Sequence, residues 1–110
     1  MQTLKNIIPR KAAENAQTTQ YTATNCKTLI TKFSITNTTA GAVTFSLNLV
    51  PSAGAAADSN CILKAKSIAA GETYNCPEAV GQSLESGGFI STLAGAAASL
   101  TISATGLEIT

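Results

Sequence analysis

The residues that could do chemistry are few, and histidine is absent altogether. This absence removes the commonest general base, the common catalytic triads and the commonest metal ligand. The carboxylates are scattered: Glu14, Asp58, Glu72, Glu78, Glu85 and Glu108. A glycosidase pair needs two carboxyl groups about 5–10 Å apart in a cleft. Glu78 and Glu85 are nearest to this pattern, but Gly81 weakens the helix that would hold them, so solvated carboxylates are the favoured interpretation and no catalytic residue is predicted.

The three cysteines, Cys26, Cys61 and Cys76, are an odd number, which argues against a disulfide framework. Small buried thiols are the favoured interpretation, because free cysteine is among the most buried residue types. A Cys61–Cys76 bridge across a hairpin stays open, since spacing alone does not decide it. Three cysteines without a fourth ligand or CxxC spacing make a poor zinc site. We predict no metal and no cofactor.

Other polar features favour structure over binding. The segments GAAAD and SGGF are glycine-containing but lack the Lys-Ser/Thr ending of a phosphate loop. Lys64 and Lys66 are predicted to project from one face of a strand, where solvation or edge protection is favoured over anion binding. Tyr21 and Tyr74 could stack on a sugar, but two tyrosines in a chain without tryptophan give little support for a lectin.

The strongest pattern is a strand pair, TLITKFSITN and AVTFSLNLVP, joined by TTAG. In the second strand, apolar positions alternate with small polar ones: Val43, Phe45, Leu47 and Leu49 against Thr44, Ser46 and Asn48. This period of two predicts a half-buried antiparallel strand. Its outer face carries uncharged hydroxyl and amide groups, which another protein can cover at little desolvation cost.

Several short strands with glycine-containing turns predict one small antiparallel β-sandwich, all-β, with jelly-roll or Ig-like connectivity. The strands are predicted at Tyr21–Thr24, Lys27–Asn37, Ala42–Val50, Cys61–Ile68, Glu72–Cys76, Phe89–Leu93 and Leu100–Thr105. Pro77–Leu84 is predicted to form one short helix, because proline and an acid suit a helix N-terminus.

Residues 1–20 are predicted to be an extended N-terminal arm outside the sandwich domain of residues 21–110, since no apolar period persists there. The arm's apolar residues need a groove, on their own subunit or on a neighbour. The predicted interface residues are Leu4, Ile7, Ile8, Pro9 and Arg10. If the arm docks on a neighbour, deleting residues 2–11 should leave a folded sandwich.

Composition limits the kinds of partner that the protein can bind. The chain has 110 residues, so one domain is expected, and its net charge is +1 with 12% charged residues, which argues against direct nucleic-acid binding. No apolar run of about 20 residues or of signal-peptide length is present, so no membrane contact and folding in a cytosol are expected. A near-neutral surface rich in small residues favours association into a homo-oligomer.

Two long runs carry a family resemblance: TLITKFSITNTTAGAVTFSLNLVPSAG, and ILKAKSIAAGETYNCPEAVGQSLESGGFISTLAGAAASLTISATGLEI. Their NTT turn, VTFSLNLV strand, IAAGETY turn and closing SLTISATG strand resemble small virion structural proteins of tailed bacteriophages. The resemblance spans residues 20–110 and rests on structural motifs.

The resemblance implies a non-enzymatic virion component, present in many copies and made in the host bacterial cytoplasm. It would bind the major capsid protein or neck and tail proteins as a decoration, cement or accessory protein. The alternative is a receptor- or carbohydrate-binding head module of a phage fibre or spike, or of a bacterial adhesin.

Overall fold

The computed structural model describes residues 1–110 and is built from strands. They are β1 (Gln2–Ala12), β2 (Thr18–Thr22), β3 (Lys27–Asn37), β4 (Val43–Val50), β5 (Cys61–Ile68), β6 (Thr73–Tyr74), β7 (Ser83–Leu84), β8 (Phe89–Ala94) and β9 (Leu100–Ile109). A single 3₁₀ turn, Asp58–Asn60, lies between β4 and β5. No helix in the structure has the length and apolar character needed to cross a membrane. The all-β prediction is therefore confirmed.

The strands form two antiparallel sheets, which pack as a β-sandwich. The first sheet has the order β1-β9-β3-β6, with β7 also paired to β3, and the second has the order β2-β8-β4-β5. The first half of the chain thus pairs with the second half in reverse order, as in one long hairpin. Rolling that hairpin up places β9 beside β3 and β8 beside β4, which is jelly-roll connectivity. Jelly-roll connectivity was one of the two topologies predicted.

The core lies between the two sheets and is lean in aromatic residues. Phe33 of the first sheet and Phe45 of the second meet at its centre, with ring centroids 6.2 Å apart. Phe45 and Leu47 are fully buried while Thr44 is exposed, which confirms the predicted alternation in the first part of β4. Asn48, on the polar side of the strand, is also buried.

A register shift in β3 changes which residues face the core. The shift lies between Ile30 and Lys32, where β3 pairs with β9. Thr31 is the extra residue, so Ile30 points inward and Leu29 is left half-buried. A strict period of two would place Leu29 on the same inward face as Phe33 and Ile35, but the bulge reverses the alternation on either side of it.

The predicted N-terminal arm is corrected to an integral strand. β1 pairs with β9 from Gln2 opposite Ile109 to Ala12 opposite Thr101. Ile7 and Ile8 are 3% and 1% exposed and belong to the core. The groove that these residues need is thus on their own subunit, between the edge of the first sheet and the second sheet. Residues 1–20 contain β1 and the start of β2, and they are not separate from the sandwich.

The predicted helix over Pro77–Leu84 is also wrong. The segment forms turns followed by β7. Gly81 N–H donates to the Ile30 carbonyl and Ile30 N–H donates to the Gln82 carbonyl, both at 2.8 Å. Because β3 uses these backbone groups, they are not left for intrahelical hydrogen bonds. Gly81 also has a φ of 88°, which lies outside the helical region.

Candidate functional site

The outer face of the first sheet carries small hydroxyl side chains. On β9, half-buried Thr101, Ser103 and Thr105 alternate with buried residues of the core. Ser103 is hydrogen-bonded to Ser34 of β3 at 2.9 Å, and Thr36 to Thr73 of β6 at 3.0 Å. This hydroxyl face belongs to the first sheet and is distinct from the polar face that the sequence predicted on β4 of the second sheet.

A basic depression of about 230 Å³ opens on this face. It is lined by Asn6, Ile8, Arg10, Lys32, Ser34, Ser103 and Thr105. The β1 strand shifts register on both sides of Ile8, and Pro9 has no partner on β9. Proline has no N–H group to donate to β9, so regular hydrogen bonding between β1 and β9 is interrupted at Pro9. The depression thus lies where β1 departs from regular pairing.

Arg10 and Lys32 differ from every other basic side chain in having no acidic or aromatic partner. Lys5 lies 3.5 Å from Glu108, Lys11 3.0 Å from Glu14, Lys27 3.5 Å from Glu85 and Lys64 2.7 Å from Asp58. Lys66 Nζ lies 5.1 Å from the centre of the Tyr74 ring. Both remaining cations line the same depression, and no acid lines it.

An apolar row crosses the same face next to the depression. Leu4 of β1 is opposite Leu107 of β9, which is opposite Leu29 of β3. Leu4 is 70% exposed, and the other two are half-buried. We call these three residues the leucine row. Ile109, also exposed, lies two residues beyond it on β9.

The residues predicted as an interface are divided between the surface and the core. Leu4, Pro9 and Arg10 are exposed, and Arg10 lines the basic depression. Ile7 and Ile8 are buried against their own subunit, so a partner cannot reach their side chains.

Sequence reasoning missed Lys32, the β9 hydroxyls and most of the leucine row. The alternation in LTISATGLEI was available as a signal for the outward β9 positions. The bulge that brings Leu29 outward had no signal.

Tyr21 binds a carboxylate at one end of the sandwich. Its hydroxyl donates to Glu108 and is hydrogen-bonded to Thr28 at 2.8 Å. Burial raises the pKa of Tyr21, and the bond to Glu108 raises it further. The same bond, followed by the charge of Lys5, lowers the pKa of Glu108. Tyr21 therefore keeps its proton and Glu108 its charge at neutral pH, whereas an acid–base pair needs pKa values near the working pH.

Tyr74 forms a second tyrosine–glutamate pair, on the edge strand β6 of the first sheet. Its hydroxyl donates to the two carboxylate oxygens of Glu78 at 2.6 and 2.9 Å. The bond to Glu78 raises the pKa of Tyr74 to about 12 and lowers that of Glu78. Lys66 lies over one face of the ring. That face is therefore not open for stacking on a sugar.

All three thiols are free. The Cys61–Cys76 disulfide, which the sequence left undecided, is therefore not formed in this structure. Cys26 and Cys76 are buried, as predicted, while Cys61 is half-buried and donates to the Leu63 carbonyl at 3.3 Å. Burial raises the pKa of the Cys76 thiol to about 11. A thiol with this pKa is protonated at neutral pH and is a weak nucleophile.

A second depression, of about 210 Å³, lies on the second sheet beside the β4–β5 loop. Asn48 Nδ2 donates to the Ala57 carbonyl at 2.9 Å and to Asn60 Oδ1 at 2.8 Å. This loop covers the Asn48 end of the polar face of β4, while Thr44 stays exposed. Lys64 at the rim is already paired with Asp58. The depression therefore offers no unpaired charge.

The predicted Lys64 and Lys66 pair is corrected. Ala65 between them has a φ of 48° and its N–H donates to Ser46 Oγ. The two lysines contact Asp58 and the Tyr74 ring respectively, at different parts of the surface. The register of β5 against β4 shifts between Leu63 and Lys66, so Ala65 lies in a β-bulge, which also protects the edge from pairing.

Comparisons with protein-family models, with curated proteins and with solved structures give no match to this chain.

Proposed function

We propose that the protein is a non-enzymatic structural component of a tailed-bacteriophage virion. It binds and stabilises the capsid, neck or tail as a decoration, cement or accessory protein, with the major capsid protein or neck and tail proteins as partners. The observation that carries the proposal is the outer face of the first sheet, where an apolar row adjoins uncharged hydroxyls and two unpaired cations. Such a composition suits contact with another protein, because few charges have to be desolvated.

Two further observations support this role. Both tyrosine–glutamate pairs hold their protons and charges at neutral pH, so they serve to tie segments of the fold together. Jelly-roll connectivity occurs in viral capsid proteins and in lectins, which is an argument by analogy of fold. The carbohydrate-binding alternative has less support, since Glu78 and Lys66 both engage Tyr74.

The direct test is to look for the protein in particles. Particles produced from the genome that encodes this chain are purified on a density gradient, and the chain is sought by mass spectrometry and by immunogold labelling. We expect it to co-sediment with particles at a constant copy number and to label one structure. Recovery only in the soluble fraction, with unlabelled particles, would contradict the proposal.

Association with copies of itself is part of the same proposal and has its own measurement. Light scattering coupled to gel filtration should give a trimer or a larger ring, because many-copy virion parts are built from symmetric oligomers. A monomer at all concentrations would contradict self-association and would leave only contacts with other virion proteins for the virion role.

A further inference from the structure

We propose that the outer face of the first sheet binds an extended segment of a different virion protein that presents an apolar side chain and a carboxylate two residues apart. The leucine row receives the apolar side chain, and Arg10 and Lys32 in the basic depression bind the carboxylate. This inference rests on the proposed function, since it names the surface and the chemistry of the docking.

The charge of the depression selects an anion. Arg10 and Lys32 are the two basic side chains without an acidic or aromatic partner, and Ser34, Ser103 and Thr105 add hydroxyl groups around them. A guanidinium group binds a carboxylate through two parallel hydrogen bonds, and an ammonium group adds a point charge. The site therefore supplies donors and positive charge without a competing acid.

The size of the depression suits one side-chain carboxylate of the partner. Its volume of about 230 Å³ is below the range of about 300–1,000 Å³ that is usual for whole small-molecule ligands. A carboxylate from a side chain fits such a space, while the rest of the partner lies outside it. Nucleic acid is disfavoured because two cations neutralise too few phosphates for appreciable affinity.

The spacing of the two features selects an extended segment. Leu107 and Thr105 are alternate residues of β9, and Leu4 and Asn6 are alternate residues of β1, so the leucine row adjoins the depression directly. Alternate residues of a strand are about 7 Å apart. Side chains at positions i and i+2 of an extended partner have the same separation. An apolar residue followed two positions later by an acid therefore matches both features.

A different protein is the partner that fits best, because every side-chain carboxylate of this chain already has a partner within the chain. Each acid already accepts a hydrogen bond or an ion pair from its own chain: Glu14 from Lys11, Asp58 from Lys64, Glu72 from the Ala69 N–H, Glu78 from Tyr74, Glu85 from Lys27 and Glu108 from Tyr21. Two copies placed face to face would bring four cations together without an acid. Like charges in contact disfavour such a pairing.

The test is an NMR titration of the full-length, ¹⁵N-labelled protein with three capped peptides. The first carries Leu-Ser-Asp in a Gly/Ser background, the second has Asn for Asp, and the third has Ala for Leu. We expect the first to shift the amide signals of Ser34, Ser103 and Leu107. The Asn and Ala peptides should bind about tenfold more weakly, as expected for loss of a charge-assisted hydrogen bond or of one buried leucine.

Matched variants localise the effect. Arg10→Gln and Lys32→Gln should each weaken binding of the Leu-Ser-Asp peptide by about tenfold, while Lys27→Gln should leave it unchanged. Lys27 is also on the first sheet, but it pairs with Glu85 and does not line the depression. All three positions are exposed, so the variants should fold, and their thermal midpoints are measured to verify this.

Three outcomes would overturn the proposal: equal shifts with the Asn peptide, no shifts at these residues, or tighter binding there by a sulfated disaccharide, which would assign the face to an acidic glycan. The result is separable from the virion role. Absence of peptide binding by a protein that is found in particles rejects only this docking face. Peptide binding by a protein that is absent from particles rejects the virion role.

Discussion

At the scale of single residues, Gly106 shows how one missing side chain permits a strand to pack. A Cβ atom at this position would lie 2.9 Å from the Leu29 carbonyl oxygen and 3.1 Å from Ile7 Cδ1. Real Cβ atoms do not approach backbone atoms so closely, so the neighbours would have to move. Glycine at position 106 therefore lets Ile7 lie across β9 and enter the core.

Gly106→Ala should lower the free energy of unfolding by about 1–3 kcal/mol, the usual cost of overpacking. Gly41→Ala is the matched control, because nothing lies within 4 Å of the corresponding Cβ position. Urea denaturation of both variants gives the measurement. Equal stabilities of the two variants would show that Ile7 adjusts without cost.

Asn37 is a residue whose role the sequence predicted only in part. It begins the predicted turn, and it is also fully buried. Its Nδ2 donates to the carbonyls of Gly41 and Ile68, and its Oδ1 accepts from Thr39. The turn chemistry was readable from NTTAG, but the bond to Ile68 depends on where β5 lies.

At the scale of elements, β1 is the main difference between prediction and structure. The expectation that residues 2–11 could be deleted from a folded sandwich no longer holds, because the segment supplies Ile7 and Ile8 to the core and pairs with β9. Truncating one buried isoleucine costs about 2–5 kcal/mol, and a whole domain is stable by about 5–15 kcal/mol. Losing the strand removes a large part of that stability.

We therefore expect deletion of residues 2–11 to abolish cooperative unfolding, as followed by circular dichroism. Ile8→Ala tests the same point more gently and should lower the free energy of unfolding by about 2–5 kcal/mol. Leu4→Ala, on the same strand but 70% exposed, should change it by less than about 0.5 kcal/mol. A cooperative transition in the deletion variant, at wild-type stability, would restore the interpretation of the segment as an arm.

The segment Pro77–Leu84 shows the limit of local signals at this scale. Its proline and acid match a helix start, yet its backbone bonds to β3, and its Ala79 is buried. The backbone of this segment makes hydrogen bonds to β3 and not within a helix, and helix propensity alone does not predict such a tertiary contact.

At the scale of the whole molecule, two tyrosine–glutamate pairs make stability depend on pH, one between residues 87 positions apart in the chain and one between residues 4 positions apart. The pKa values of Glu78 and Glu108 are lowered from 4.5, so the folded state binds these protons less tightly than the unfolded state. This stabilisation is complete above the unfolded value and is lost as pH falls through the lowered values. The pKa values of Tyr21 and Tyr74 are raised from 10.0, so their contribution is complete below 10.0 and is lost as pH rises through the raised values, which for Tyr74 is about 12.

The urea midpoint should therefore be flat between about pH 5 and pH 8.5 and should fall on both sides, with the buried Cys76 thiol, whose pKa is raised from 9.0 to about 11, adding to the alkaline fall. Tyr74→Phe should reduce the fall on the alkaline side, and a comparison with the wild type removes the general effect of lysine deprotonation. Since the Tyr74 pair is largely exposed, its share is modest. An identical alkaline fall in the variant would contradict the assignment to Tyr74.

The sequence by itself determined seven of the nine strands, all except β1 and β7, and the sandwich class, because a period of two is a local property of each strand. Only the tertiary structure decided that Gln2 pairs with Ile109, that Ile30 replaces Leu29 in the core, and that Arg10 and Lys32 line one depression. These outcomes depend on register between segments that are far apart in the chain, and bulges and close packing at Gly106 set that register. Residue types could indicate a face for protein contact, but its charges came together only when β1 and β3 were placed on either side of β9.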